Sequence, residues 1–269
     1  IGTEAYHGGI VLGDVCAVDP ARLTAGLLAC ALGAGATVAG RTPVTGVARE
    51  GSGFKVETGR GTLAAGEVVI ASNGYTGPAT PYFRRRLVPI LSSMIATEPL
   101  APELLARLNP KARMIIDSAK LSFYSRLSPD GSRFLFGGTG KPEAEPRAIA
   151  AMLRRQMVSL YPELEGARIS HVWNGQIGYT FDHLPHLGVH DGIHYAMGYC
   201  GGGLTMGCYL GHKIALRILG AREAATAFDG RRFPTLPLYR GKPWFMPLVY
   251  GYYYWRDRVS RSDRRFAAE

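Results

Sequence analysis

The run Gly198-Tyr199-Cys200-Gly201-Gly202-Gly203-Leu204-Thr205 constrains this 269-residue chain more than any other feature. It follows a short apolar strand pattern, Ile193–Met197, and precedes a helical pattern, Leu204–Leu219, that stops at Gly220. Four glycines at such a junction let the backbone approach a ligand closely. The helix behind them turns its free N–H groups and the positive end of its dipole the same way. The combination predicts a site for negative charge, either a phosphate or an anionic heteroaromatic ring. A tight β–α turn whose glycines serve packing alone is the other reading of the same residues.

The rest of the chain alternates strand and helix patterns, which places it among α/β proteins. Asp19-Pro20 predicts a helix start; Leu23, Leu27, Leu28, Ala31 and Leu32 form one apolar face, and Gly33 stops it. A short strand is expected at Ala36–Val38. Val44–Val47 follows, then a period-2 strand Phe54–Thr58, the tight turn Gly59–Gly61 and a return over Thr62–Ala64. Glu67–Ala71 reads as an apolar strand buried on both faces, ended by Ser72-Asn73-Gly74. From Leu87 to Val172 strands dominate: Leu87–Thr97, Leu121–Leu127 and Arg133–Phe136, the last two joined by the turn Ser128-Pro129-Asp130-Gly131. A helix from Pro146 carries Ile149, Met152, Leu153, Met157 and Leu160 on one face and covers that antiparallel sheet. Beyond Phe228 the chain is rich in Pro, Arg and Tyr, without a clear period.

Composition narrows the class. With 46% hydrophobic and 19% charged residues, usage is globular and neither disordered nor fibrous. Lys and Arg exceed Asp and Glu by 31 to 21, a net +10 that permits attraction to nucleic acid or membrane surfaces without establishing either. The basic stretch Arg256–Arg265 reads as a solvated or docking face, not a nucleic-acid site. Leu23–Gly40 is uncharged, but Gly26, Gly33, Gly35 and Gly40 interrupt it, so no transmembrane segment is expected. No signal peptide is visible, and Cys16, Cys30, Cys200 and Cys208 form no C-x-x-C pair, so free thiols in the cytoplasm are expected. His183, His186, His190 and His194 crowd beside Asp182 and Asp191. Pro185, Gly188 and Gly192 forbid the continuous helix that would gather them, so a polar loop between strands and no metal site is expected.

Several ordered motifs then carry a family likeness. Asp19-Pro20-x-x-Leu23, Ala71-Ser72-Asn73-Gly74-Tyr75, Thr97-Glu98-Pro99-Leu100 and Phe136-Gly137-Gly138 come first. Trp173-x-Gly175, Asp182-x-x-Pro185-x-x-Gly188 and the glycine run follow. Together they resemble the FAD-dependent amine and amino-acid oxidoreductases of the D-amino-acid oxidase, glycine oxidase and sarcosine oxidase superfamily. The tail Tyr252–Arg258 looks like the gamma-glutamylputrescine oxidase branch. The resemblance implies oxidation of the C–N bond of an amine or amino acid by hydride transfer to FAD, with O2 or another electron acceptor downstream. It implies Val44 and Val47 under the adenine, and Ala71, Ser72, Asn73 and Gly74 toward the ribose and pyrophosphate. Trp173 and Gly175 would sit near the isoalloxazine, and Gly198, Tyr199, Cys200, Gly201, Gly202, Gly203, Leu204 and Thr205 against its pyrimidine edge. No cysteine stands beside Gly175, which implies a non-covalent flavin. Tyr124 and Arg126, on the middle sheet, are the substrate candidates; an arginine fork suits a carboxylate.

The implied architecture is an incomplete FAD-binding Rossmann-like domain with an inserted antiparallel-sheet substrate domain, an α+β layer. Residues 1–86 form part of the FAD domain, 87–172 the substrate domain, 173–225 the return to the FAD domain, and 226–269 a basic extension. Two departures qualify the likeness. No G-x-G-x-x-G turn follows a strand here; Gly33-Ala34-Gly35 falls at a helix end. The chain therefore reads as the C-terminal part of such an enzyme, and the fragment alone is expected to be inactive and to hold FAD weakly. Gly202 also stands where relatives usually carry histidine. A non-catalytic remnant or subunit that binds substrate or a partner chain is the alternative reading.

Overall fold

The computed structural model describes residues 1–139 and 145–266, the last seven of them by backbone alone. In chain order these form α1 (Pro20–Gly33), β1 (Val44–Glu50), β2 (Gly53–Thr58), β3 (Gly61–Ala65), β4 (Val69–Ile70), α2 (Pro81–Arg84) and β5 (Val88–Thr97). Then come α3 (Pro102–Leu108), β6 (Ile115–Ile116), β7 (Tyr124–Leu127), β8 (Phe134–Thr139), α4 (Pro146–Leu160) and β9 (Ile169–Tyr179). The last are β10 (His186–His190), β11 (Ile193–Met197), α5 (Gly203–Ile218) and α6 (Met246–Phe266). Four of the helices open on proline, whose fixed φ suits a first turn and whose missing N–H is lost on nothing. The chain divides into two compact units.

One unit holds Ile1–Asp19, Leu91–Gly175 and Trp244–Glu269. Its five-stranded sheet runs β6-β7-β8-β5-β9, and the β6–β7, β7–β8 and β5–β8 pairs are antiparallel. The turn between β7 and β8 is the one its sequence specifies: Gly131 sits at φ +73 and Ser128 N–H reaches back to Arg133 O at 2.9 Å. Ile149, Leu153 and Met157 recur every four residues along α4 and are fully buried against Ile95, Phe134 and Phe136. β7 starts later than the pattern predicts. The N–H groups of Leu121 and Phe123 are taken by the carboxylates of Asp257 (3.1 Å) and Asp117 (3.1 Å), which withdraws both from a ladder there. The tail is not aperiodic: Met246–Phe266 is one helix. Its half-buried positions 249, 250, 253 and 257 share a face, but tyrosines and arginines on every other face blur the period in the sequence.

The other unit holds Pro20–Ile90 and Gln176–Pro243. β1, β2 and β3 make an antiparallel meander. A second sheet runs β10-β11-β4, with β11 and β4 parallel. β11 alternates: Tyr195 and Met197 pack with Phe83, Leu87 and Phe233, while Ala196 packs with Leu210 and Ile214 of α5.

Three expectations need correction in this unit. Ala36–Val38 is not a strand. Ala36 N–H bonds back to Ala31 O (3.0 Å) and Gly35 N–H to Leu32 O (3.0 Å), a helix end in which Gly35 at φ +89, not Gly33, takes the left-handed position. α1 also buries none of its residues, so its apolar face is present but uncovered. Glu67–Ala71 shrinks to the two residues of β4, paired on one side only, and Val69 is 42% exposed. The histidine run is a hairpin and not a loop: Asp191 (φ +51) and Gly192 (φ +76) form its two-residue turn between His190 and Ile193. His186 and His194 are consequently buried.

Candidate functional site

Parallel pairing of β4 with β11 brings their carboxyl ends side by side, the place where open α/β sheets receive ligands. β4 runs out into Ser72-Asn73-Gly74, and β11 into the glycine run. Asn73 holds φ +43, and its Oδ1 accepts the N–H of Gly198 at 2.9 Å. One side chain thus ties together the two strand ends, which lie 125 residues apart in sequence. Gly74 is buried, and a Cβ on it would lie 2.6 Å from Gln176 O and 3.0 Å from Gly178 N. A Cβ on Gly178 would lie 2.5 Å from Asn73 Oδ1. Backbone packs on backbone here, and only glycine permits it.

The turn itself is built around three left-handed residues: Gly198 (φ +78), Cys200 (φ +48) and Gly201 (φ +101). Cys200 N–H donates to Gly178 O (3.1 Å), and the thiol sits 3.4 Å from Thr180 Oγ1. Any side chain at Gly198 would strike the Thr180 methyl. Tyr199 donates its hydroxyl to Ala196 O (2.9 Å); burial pushes this phenol up, so it stays protonated. The start of α5 rests on that ring, with the Cβ positions of Gly203 and Gly207 3.6 and 3.9 Å from it. Gly202 precedes α5 without a side-chain cap, and no acidic residue lies in the first turn. Gly201, Gly202, Leu204 and Thr205 are exposed. The arrangement therefore presents an uncapped helix N-terminus behind a surface with almost no side chains.

Other predicted residues sit elsewhere. Ala71 and Ser72 are exposed, and Ser72 Oγ shares a hydrogen bond with Thr76 Oγ1 (2.8 Å). Val44 and Val47 belong to β1 of the meander, the first exposed and the second half-buried. Trp173, exposed at 43%, and Gly175 lie on β9 within the sheet unit. Tyr124 and Arg126 share one face of β7. The Tyr124 hydroxyl bonds Ser92 Oγ; Arg126 donates to Val18 O (2.9 Å) and Leu127 O (3.1 Å). Among the histidines, His186 bonds both Asp182 oxygens at 3.1 Å and stacks on Phe233 with centroids 4.2 Å apart. Burial pushes the Asp182 carboxyl up, but the bonds from His186 and Leu184 N–H outweigh it and hold the group below its ordinary value. Sequence reasoning missed Gln176, Gly178 and Thr180 as walls of the turn. The isolated Gly178, at the end of a strand pattern, was the available signal.

Strand ends converging on a glycine-built helix N-terminus define an α/β protein of the cofactor-binding kind. The chain belongs to the FAD dependent oxidoreductase family DAO, whose family model matches residues 2–217. The family is FAD-dependent, and the open glycine face of the turn fits a group of that kind: at Gly201 a Cβ would meet nothing nearer than Tyr179 Oη at 3.9 Å. "Probable oxidoreductase OrdL" of Rhizobium meliloti is 33% identical over 241 residues, covering 88% of this chain and 55% of that protein. Gamma-glutamylputrescine oxidoreductase of Escherichia coli is 30% identical over 76% of this chain and 49% of its own length. The chain thus spans about half the length of these curated relatives. The crystal structure of glycine oxidase from Geobacillus kaustophilus matches with a TM-score of 0.63 at 25% identity, over 79% of this chain and 56% of that one. L-proline dehydrogenase from P. horikoshii shares the fold, with a TM-score of 0.61. No described helix is long and apolar enough to cross a membrane.

Proposed function

We propose that the protein of which these residues are a part oxidises the C–N bond of a small amine or amino acid, with non-covalent FAD at the turn between β11 and α5. The observation that carries this reading is the junction of Asn73 with Gly198 beneath the uncapped start of α5. The chemistry FAD supplies when bound is acceptance of a hydride from the carbon that bears the nitrogen. The N–H groups at the start of α5 would stabilise negative charge on the bound flavin, and the glycines would keep side chains out of the space its ring needs. Asn73 holds the two strand ends in register for that contact. Tyr124 and Arg126 are the proposed substrate-side residues, Arg126 as the partner of a substrate carboxylate that would compete with its bonds to Val18 O and Leu127 O. The residues matched to a relative's 55% also favour a longer polypeptide that supplies the rest of the cofactor's contacts.

The test is FAD content and peroxide release from amines and amino acids in the natural polypeptide carrying these residues. Gly201→Val fills the open position and is expected to abolish flavin retention. Undiminished yellow colour after purification, with unchanged turnover, would overturn the placement.

A further inference from the structure

A second feature of the unit that holds β10 and β11 has no part in the glycine turn. Tyr82, Arg84, Arg85, His190, Arg240 and two prolines line a cavity of about 650 Å³, within the usual range for small-molecule sites. Its construction is specific. The segment Phe233–Gly241 is fastened to Tyr82–Leu87 at three points. Arg86 Nε donates to Phe233 O (3.0 Å), Thr235 Oγ1 to Arg85 O, and Tyr239 Oη to Leu87 O (2.6 Å). These bonds bring Arg240 to Arg84 and Arg85 across about 155 residues of sequence. Gly241 takes φ +92, and any Cβ on it would run into the Arg84 side chain.

The walls are held as firmly as the frame. The Tyr82 ring is sandwiched, with the His190 ring 3.3 Å from its centroid and the Arg86 guanidinium 3.5 Å from it. Two groups so close to one centroid lie on opposite faces. Arg86 also donates to Tyr82 O (2.8 Å), so its charge is fixed in place beside the cavity. No carboxylate lines the cavity, and Arg84, Arg85 and Arg240 form no salt bridge among the described residues. The nearest carboxylate to the lining is that of Asp191, whose Oδ2 lies 3.3 Å from His190 Nε2. The pinned strap thus sets Arg240 in the same cavity wall as Arg84 and Arg85, and none of the three is paired with a carboxylate among the described residues.

We propose that this cavity binds phosphoryl groups, in a small phosphorylated molecule or a phospholipid headgroup. Guanidinium forks match phosphate oxygens two at a time, which favours phosphate over a lone carboxylate. The ring of Tyr82 and the prolines supply an apolar wall for the remainder of the ligand.

The experiment titrates the full chain with inorganic phosphate and with pyrophosphate by calorimetry at low ionic strength. Arg84→Gln with Arg240→Gln is compared with Arg60→Gln and Lys111→Gln, which removes the same two charges at exposed positions outside the cavity. The cavity pair is expected to weaken binding about tenfold or more, and the control pair less than about twofold. Co-flotation with vesicles, with and without an anionic phospholipid, distinguishes the sources. Saturation by free phosphate marks a soluble ligand; vesicle binding alone, lost in the cavity pair, marks a headgroup. Phenylglyoxal labelling read by mass spectrometry needs no variant: pyrophosphate should shield Arg84, Arg85 and Arg240 but not Arg60. Equal weakening in both pairs, or labelling of the three arginines unaffected by phosphate and by vesicles, would overturn the proposal.

Discussion

Replacing Asn73 tests the joint between the two strand ends directly. The Gly198 N–H is buried, and Asn73 Oδ1 accepts it at 2.9 Å. Removing the acceptor leaves a buried donor unsatisfied, a loss of about 1–3 kcal/mol. Asn73 also sits at φ +43, where a residue with an ordinary Cβ is disfavoured by about 1–2 kcal/mol and Asn and Gly are tolerated. Asn73→Gly should therefore lose only the hydrogen bond, about 1–3 kcal/mol, whereas Asn73→Ala should lose both, about 2–5 kcal/mol. Equilibrium urea unfolding gives the two totals, and amide hydrogen exchange locates them. The Gly198 amide should lose protection by about tenfold or more in both variants, since each 1.4 kcal/mol is about a factor of ten. If Gly198 exchange is unchanged in Asn73→Gly, the bond contributes nothing and the reasoning fails. If the two variants are equally stable, the left-handed backbone carries no penalty.

Gly74→Ala should destabilise by about 1–3 kcal/mol or displace β9, because its Cβ would lie 2.6 Å from Gln176 O, a backbone atom that cannot swing away; urea unfolding reads this. Leu153→Ala, at a fully buried site, should lose about 2–5 kcal/mol, while Leu28→Ala on the uncovered face of α1 should change stability by no more than about 0.5 kcal/mol. Burial pushes the Tyr239 phenol up to about 12, above its ordinary value near 10. A raised folded-state value means the contribution is complete below pH of about 10 and disappears as pH climbs toward 12, roughly 2–3 kcal/mol in all. Thermal melting across that interval should show the decline, and Tyr239→Phe should flatten it while removing the bond to Leu87 O.

Local order was legible wherever one residue type settles the backbone. Gly131 and the Ser128–Gly131 turn, α4 with its four-residue spacing, and α5 ending at Gly220 (φ +68) all follow from short-range rules. What failed depended on partners the sequence does not announce. Ala36–Val38 has strand composition, but its first N–H is consumed in closing α1. Glu67–Ala71 has the composition of a central strand and lies at a sheet edge. α6 was hidden because its inward face is set by Asp257 reaching the N–H groups of Lys120 and Leu121, a tertiary event with no period of its own. In the candidate site the glycines were visible, yet the contact that positions them was not. Asn73 looks like an ordinary strand terminator until its side chain is seen on Gly198.

Gly202 offers a change whose two consequences should have opposite signs. It precedes α5 at φ −82, an ordinary backbone conformation, and a Cβ there would touch Tyr199 O at 3.4 Å and Met206 Cγ at 3.8 Å, both normal contacts. Aspartate is therefore sterically admissible. Losing a glycine from the unfolded ensemble stabilises by about 0.4–1 kcal/mol, and a carboxylate at the positive end of a 16-residue helix adds about 0.3–1 kcal/mol. Together these should raise the melting temperature by a few degrees, about 2–4 °C per kcal/mol for domains of 150–250 residues. The same carboxylate occupies the field that the start of α5 offers to a ligand, and it repels any group that carries negative charge. Flavin retention, or affinity for an anionic probe at this turn, should fall by about tenfold or more even as the fold gains stability, the pattern of a site kept bare for function. Gly202→Asn separates the terms, since it adds the Cβ without the charge and should keep the ligand better than aspartate does. If Gly202→Asp binds the ligand as well as the parent chain, the α5 terminus does not face it, and the electrostatic role assigned to the turn is wrong.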